Sequence, residues 1–118
     1  MTTAPINPFT FLCDEPAIEP LATLMGRGWE LQPQLDGEGN LERFTGAFTW
    51  TDDGYVDALR VKSKTDAAAI RVDHAGGKVR EHDGDALDIL HQLLELPAPS
   101  DPLAPRLVLG SAPQLWVL

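Results

Sequence analysis

Between Tyr55 and Leu96 the sequence changes its apolar repeat from every second residue to every third or fourth residue. Side chains of a strand alternate between two faces, whereas those of a helix return to one face after three or four residues. The segment therefore predicts an antiparallel meander that leads into an amphipathic helix. A chain of 118 residues has room for one hydrophobic core around this unit, and we predict a single domain over residues 1–118.

The sequence before Tyr55 extends the meander to five strands. Asp53 and Gly54 predict a tight two-residue hairpin between the second and third strands, because both tolerate positive φ. The fourth strand is apolar at both parities, and we predict that its Ile70 and Val72 face the core. The side chains expected to point inward are Trp29, Leu31, Phe44, Phe48, Trp50, Tyr55, Leu59, Val61, Ala68, Ile70, Val72 and Val79.

Two helices are predicted to flank this sheet. The first is short, over residues 19–25, with Pro20 near its start and Gly26 as its C-terminal stop. The second, over residues 84–96, carries a broad apolar stripe that we expect to pack on the apolar face of the meander. The fold class is therefore α+β, with a five-stranded and possibly six-stranded antiparallel sheet.

Three irregular segments complete the domain. Residues 1–15 form an arm that either adds an edge strand or is pinned to the core by its phenylalanines, and pinning is favoured. Residues 97–105 contain four prolines and predict a stiff, extended crossing. Residues 106–118 are mostly apolar and are expected to add a sheet edge, cover the core or meet a second subunit.

The net charge of −9 narrows the range of partners. Nucleic acid and anionic membranes attract cationic surfaces, so broad affinity for either is not expected. A single cysteine, the lack of a signal-peptide pattern and the lack of an apolar run near 20 residues predict a cytoplasmic protein that does not enter a membrane.

Most basic residues have strand parities that predict a position opposite the apolar face. Such a basic stripe would suit an acidic protein segment or an oxyanion, since arginine grips carboxylate and phosphate bidentately. The competing and favoured interpretation is the ordinary solvated face of an antiparallel sheet. The residues of the predicted stripe are Arg60, Lys62, Lys64, Arg71, Lys78 and Arg80.

No motif for catalysis, metal binding or a cofactor is present. The spacing of His82 and His91 matches no standard zinc site, and Leu41 stands where a calcium loop beginning at Asp36 requires glycine. The sequence also lacks a nucleophile elbow and a phosphate-binding glycine pattern. We therefore predict no cofactor, and a non-enzymatic protein is favoured over an enzyme.

Two functional hypotheses remain. The leading one is a small acidic protein-binding module, chaperone-like or a regulatory adaptor, which the net charge of −9, the missing catalytic motifs and the apolar terminus from Leu115 to Leu118 favour. At the level of architecture alone, such a domain is similar to secretion-chaperone-like and related adaptor folds. It would bind a protein partner or a second copy through the basic stripe and through Leu115 and Trp116, where docking in the same chain or a homodimer is favoured.

The alternative hypothesis is a small-ligand-binding protein or enzyme with a pocket between the sheet and the second helix. Its signal is Asp57, a carboxylate on an otherwise apolar strand parity. The residues expected near the mouth of that pocket are Trp50, Tyr55, Asp57 and His91.

Overall fold

A computed structural model of the chain describes residues 10–105 and 107–111. Their elements are a 3-10 helix (Thr10–Cys13), α1 (Ile18–Gly26), β1 (Glu30–Leu35), β2 (Leu41–Trp50), β3 (Tyr55–Ser63), β4 (Asp66–Val72), β5 (Gly77–Gly84), α2 (Ala86–Glu95) and β6 (Gly110–Ser111). The strands form one antiparallel sheet in chain order, β1 to β6. The predicted α+β meander is confirmed, and β6 is a sixth strand supplied by the C-terminal segment.

Both α-helices contribute to one apolar core on one face of the sheet. Ile89, Leu90 and Leu93 recur at helical spacing along α2 and are buried in this core, and Leu24 joins them from α1. Pro20 lies in the first turn of α1, where its missing N–H has no intrahelical partner to lose. In the part of the predicted arm that the structure describes, residues 10–15, Phe11 and Leu12 pack into the same core, and Phe9 lies outside the described residues.

The predicted inward side of β4 is wrong. Leu59 on β3 faces Ala69, and Val61 faces Ala67, so Ala67 and Ala69 share the helix-packed face. The reason is a bulge between Val61 and Ser63, which shifts the pairing register by one residue. A one-residue shift moves every following side chain to the other face, and β4 is apolar at both parities, so its pattern could not reveal the change.

The opposite face of the sheet has an apolar cluster of its own. Ala58, Ile70 and Val72 are buried there and form a second, smaller core. Residues 67–72 of β4 are all buried. The predicted division into one apolar and one basic face is therefore incorrect, because the centre of both faces is apolar.

The connection between β2 and β3 is also longer than predicted. Trp50 pairs with Tyr55, and residues 51–54 form the loop between them. Gly54 has φ +72 and donates its N–H to the Trp50 carbonyl at 2.8 Å. Among the described residues no non-glycine residue has positive φ, so Asp53 does not adopt the conformation that a type I′ hairpin requires.

Candidate functional site

A row of polar side chains crosses the helix-packed face of the sheet. Asp57 on β3 lies opposite Phe48 on one side and Arg71 on the other, and Arg71 in turn lies opposite Arg80 on β5. The bulge that shifts β4 is what brings Arg71 next to Asp57. This row and its neighbours, named here the polar cluster, comprise Trp50, Asp57, Arg71, Arg80, His82 and Gln92.

Asp57 and Arg71 form a bidentate ion pair inside the protein. The Arg71 Nε–H donates to Asp57 Oδ1 at 2.6 Å, and an Arg71 Nη2–H donates to Oδ2 at 2.9 Å. Arg71 is 0% exposed and Asp57 is 3% exposed. Paired forks of this kind are the strongest carboxylate–guanidinium geometry, and neither charge has solvent as an alternative partner.

Further groups contact both members of this ion pair. Trp50 Nε1–H donates to Asp57 Oδ2 at 2.9 Å, and the Arg71 guanidinium carbon lies 5.6 Å from the centre of the Trp50 ring. Arg71 Nη1–H also donates to the carbonyl of Pro97 at 2.6 Å, just after α2 ends. The ion pair thus ties β2, β3 and β4 to the chain that leaves α2, and its chemistry is structural.

Arg80 has a different environment from Arg71. It is half-buried, and its Nη2–H donates to Gln92 Oε1 on α2 at 3.0 Å. Gln92 Nε2 lies 2.7 Å from His82 Nε2. The Gln92 amide therefore links the side chains of Arg80 and His82 across α2 and β5. Burial, and secondly the charge of Arg71, lower the pKa of Arg80 from its ordinary value.

The predicted basic stripe does not form a continuous surface. Arg71, which the strand parity predicts on the outer face, is buried on the helix-packed face because of the bulge in β3. A second bulge, between Arg71 and Val72, pairs Arg80 with Arg71 but Lys78 with Val72, so Arg80 and Lys78 point to opposite faces.

The other members of the predicted stripe are scattered. Arg60 lies on the outer face between Thr45 and Ala68. Lys62 is the exposed bulge residue, and Lys64 is exposed in the turn after β3. Lys78 donates to Glu81 in an ion pair of 2.6 Å. Leu115 and Trp116, the remaining predicted partner-binding residues, lie outside the described residues.

The residues predicted to line a pocket are only partly brought together. Trp50 and Asp57 are hydrogen-bonded, and Tyr55 is the cross-strand neighbour of Trp50. The Tyr55 ring is also close to the ring of His74, with centroids 6.4 Å apart. His91 is exposed on α2, whose buried residues face the sheet. Asp57 is fully committed to Arg71 and Trp50, so the carboxylate that suggested a pocket is a partner in the fold.

The acidic turn after β1 is held by its own backbone. Asp36 Oδ1 accepts the N–H groups of Glu38 at 2.8 Å and of Asn40 at 2.9 Å, and Asp73 caps the turn after β4 in the same way. These hydrogen bonds, that of Asn40 first and that of Glu38 second, lower the pKa of Asp36 below 3.8. No group of three or more metal-ligating side chains occurs within residues 10–105 and 107–111.

The depressed pKa of Asp36 predicts a pH-dependent contribution of this turn to stability. The contribution is present above about pH 4, where the unfolded carboxyl is also ionised, and is lost as the pH falls through the lower folded-state pKa. Urea unfolding of the wild type and of Asp36→Ala, from about pH 6 to about pH 2.5, is expected to show two midpoints that converge in acid. Asp36→Asn, which keeps an acceptor oxygen but no charge, is the control, and a gap independent of pH would contradict the prediction.

Comparison with known proteins adds no relative: no family model, curated protein or solved structure matches the chain. In the part of the chain that the structure describes, no helix is both long and apolar enough to cross a membrane.

Proposed function

We propose that this chain is a small, non-enzymatic protein-binding module, and that Leu107, Val108 and Leu109 are part of its contact surface. These three consecutive side chains are 78%, 54% and 57% exposed, which is the observation that carries the proposal. Apolar surface of this kind is costly to leave in water and often marks an interaction site. Leu103, 85% exposed, adds a fourth apolar side chain shortly before them.

The position of this 107–109 segment at the sheet edge supports the same function. Leu109 N–H donates to the Lys78 carbonyl at 2.6 Å. Val108 lies so close to Gly77 that a Cβ added to this glycine would be only 3.1 Å from Val108 Cγ1. The segment is thereby held in a defined place along β5, immediately before β6. A fixed apolar segment loses less conformational entropy on binding than a free tail does, which favours recognition.

The cellular role that fits this proposal is an adaptor or chaperone-like module acting in the cytoplasm. The net charge of −9 favours a partner whose contact surface is apolar with basic margins, and a second copy of the chain is the competing partner. The pocket hypothesis has weaker support, because Asp57 has its oxygens occupied and α2 fills its side of the sheet with Ile89, Leu90 and Leu93.

Site-specific photo-crosslinking in the native host tests this function. A photoreactive residue in place of Leu107 is expected to give a discrete adduct: a dimer of 12.8 kDa chains for self-association, or another mass for a different partner. The same probe in place of Asp52, an exposed loop residue, is the control. If Leu107 gives no adduct beyond that of Asp52, the proposal fails.

A substitution pair makes the test independent of the probe. With the probe at Leu103, Leu107→Ser combined with Leu109→Ser should abolish the adduct and leave stability within about 0.5 kcal/mol, because both side chains are exposed. Leu35→Ser is the matched control, since Leu35 is 60% exposed on β1 at the far edge of the sheet. An adduct that survives the double substitution, or is lost equally with Leu35→Ser, would count against this surface.

A further inference from the structure

The polar cluster contains more positive than negative charge. Arg71 and Arg80 are direct cross-strand neighbours, and the carboxylate beside Arg71, Asp57, is held by Arg71 and Trp50. Glu81, the residue after Arg80, points to the other face and pairs with Lys78. Among the described residues, Arg80 therefore has a neutral hydrogen-bond partner, Gln92, and no carboxylate within ion-pair distance.

A half-buried cation beside a second cation is an unfavourable arrangement unless an anion joins it. Burial removes part of the water that would solvate the Arg80 guanidinium, and the buried charge of Arg71 repels it, whereas the charge of Asp57 offsets part of that repulsion. Among the described residues, Gln92 Oε1 is the acceptor hydrogen-bonded to this guanidinium, and its remaining N–H groups can take a further acceptor.

The geometry points to Arg80, supported by Gln92 and His82, as a binding site for the oxyanion of a small molecule, a carboxylate or a phosphate. The planar guanidinium fork matches both groups bidentately. Gln92 fixes the Arg80 guanidinium through its hydrogen bond with Nη2. His82, on the other side of Gln92, is exposed and lies at the solvent side of the site. This site is separate from the 107–109 segment, so it stands or falls independently of the protein-binding proposal.

Titration of the intact chain with inorganic phosphate, and separately with acetate, tests this site. At constant ionic strength set by sodium chloride, the anion that binds is expected to shift the Arg80 Nε–Hε resonance saturably and to raise the Tm. A response to phosphate alone assigns a phosphate site, and a response to acetate alone assigns a carboxylate site. Neither anion producing a saturable shift beyond that of chloride would overturn the inference.

Three variants separate a site from a general charge effect. Arg80→Gln should lose the saturable response, and Arg80→Lys should need a higher anion concentration, because an ammonium has no fork. Lys62→Gln removes one exposed positive charge from the β3 bulge and should respond like the wild type. A response that persists in Arg80→Gln would refute the site. If that variant does not fold, the wild-type resonance and Arg80→Lys still decide the question.

Discussion

Replacement of Asp57 by alanine is expected to lower the free energy of unfolding by about 3–5 kcal/mol. The change leaves the Arg71 guanidinium, which is 0% exposed, without its two carboxylate hydrogen bonds. It also removes the acceptor of Trp50 Nε1–H. The Arg71 charge still carries the full cost of its desolvation, and the attraction to Asp57 that offset this cost is gone. Urea unfolding followed by tryptophan fluorescence measures the effect.

Two further variants decide whether the loss comes from the unpaired charge. Asp83→Ala removes a carboxylate from an exposed position on β5 and should change stability by no more than about 0.5 kcal/mol. Asp57→Leu combined with Arg71→Met removes both charges and should recover much of the stability lost in Asp57→Ala. If the double variant were as unstable as Asp57→Ala, the ion pair would not be the source of the effect.

Truncation of Leu90 to alanine is expected to cost about 2–5 kcal/mol. Leu90 is 0% exposed and belongs to the core in which α2 meets Leu59 and Val61. The smaller side chain loses apolar burial and leaves a cavity that a close-packed interior fills only in part. Chemical denaturation at constant pH gives the change in unfolding free energy, with the slope unchanged if the folded state stays compact.

The matched control for Leu90 is its neighbour on the same helix. His91 is exposed, so His91→Ala should stay within about 0.5 kcal/mol of the wild type. A similar loss for both variants would mean that α2 does not pack on the sheet through the face that carries Leu90.

The order of elements could be predicted because local repeats specify it. The alternation around Phe44 to Trp50 marks β2, and the apolar spacing from Ala86 to Leu93 marks α2, since each element exposes one face at its own period. The sequence pattern marks only the first half of β5. Its second half, Glu81 to Gly84, is entirely polar or glycine and exposed, so no apolar alternation could mark it.

The polar cluster could be predicted only in part because its register depends on a bulge. Asp57 stood out as an acid on an apolar parity, but a regular two-residue turn at Lys64 and Thr65 would have paired Asp57 with Val72 rather than with Arg71. Nothing in the local pattern distinguishes the two registers, because β4 is apolar on both sides. The contact of Arg80 with Gln92 joins elements whose packing has no local signal, and it was missed altogether.

The strand order has a further consequence for how the chain reaches this fold. The ladders from β1 to β5 join strands that are adjacent in sequence, so each closes only a short loop. Short loops carry a small closure entropy, and topologies rich in local contacts fold rapidly. The ladder between β5 and β6 is different, because α2 and residues 96–109 lie between its strands. The meander can therefore assemble one hairpin at a time, whereas β6, which follows the exposed 107–109 segment, joins the sheet by closing a much longer loop.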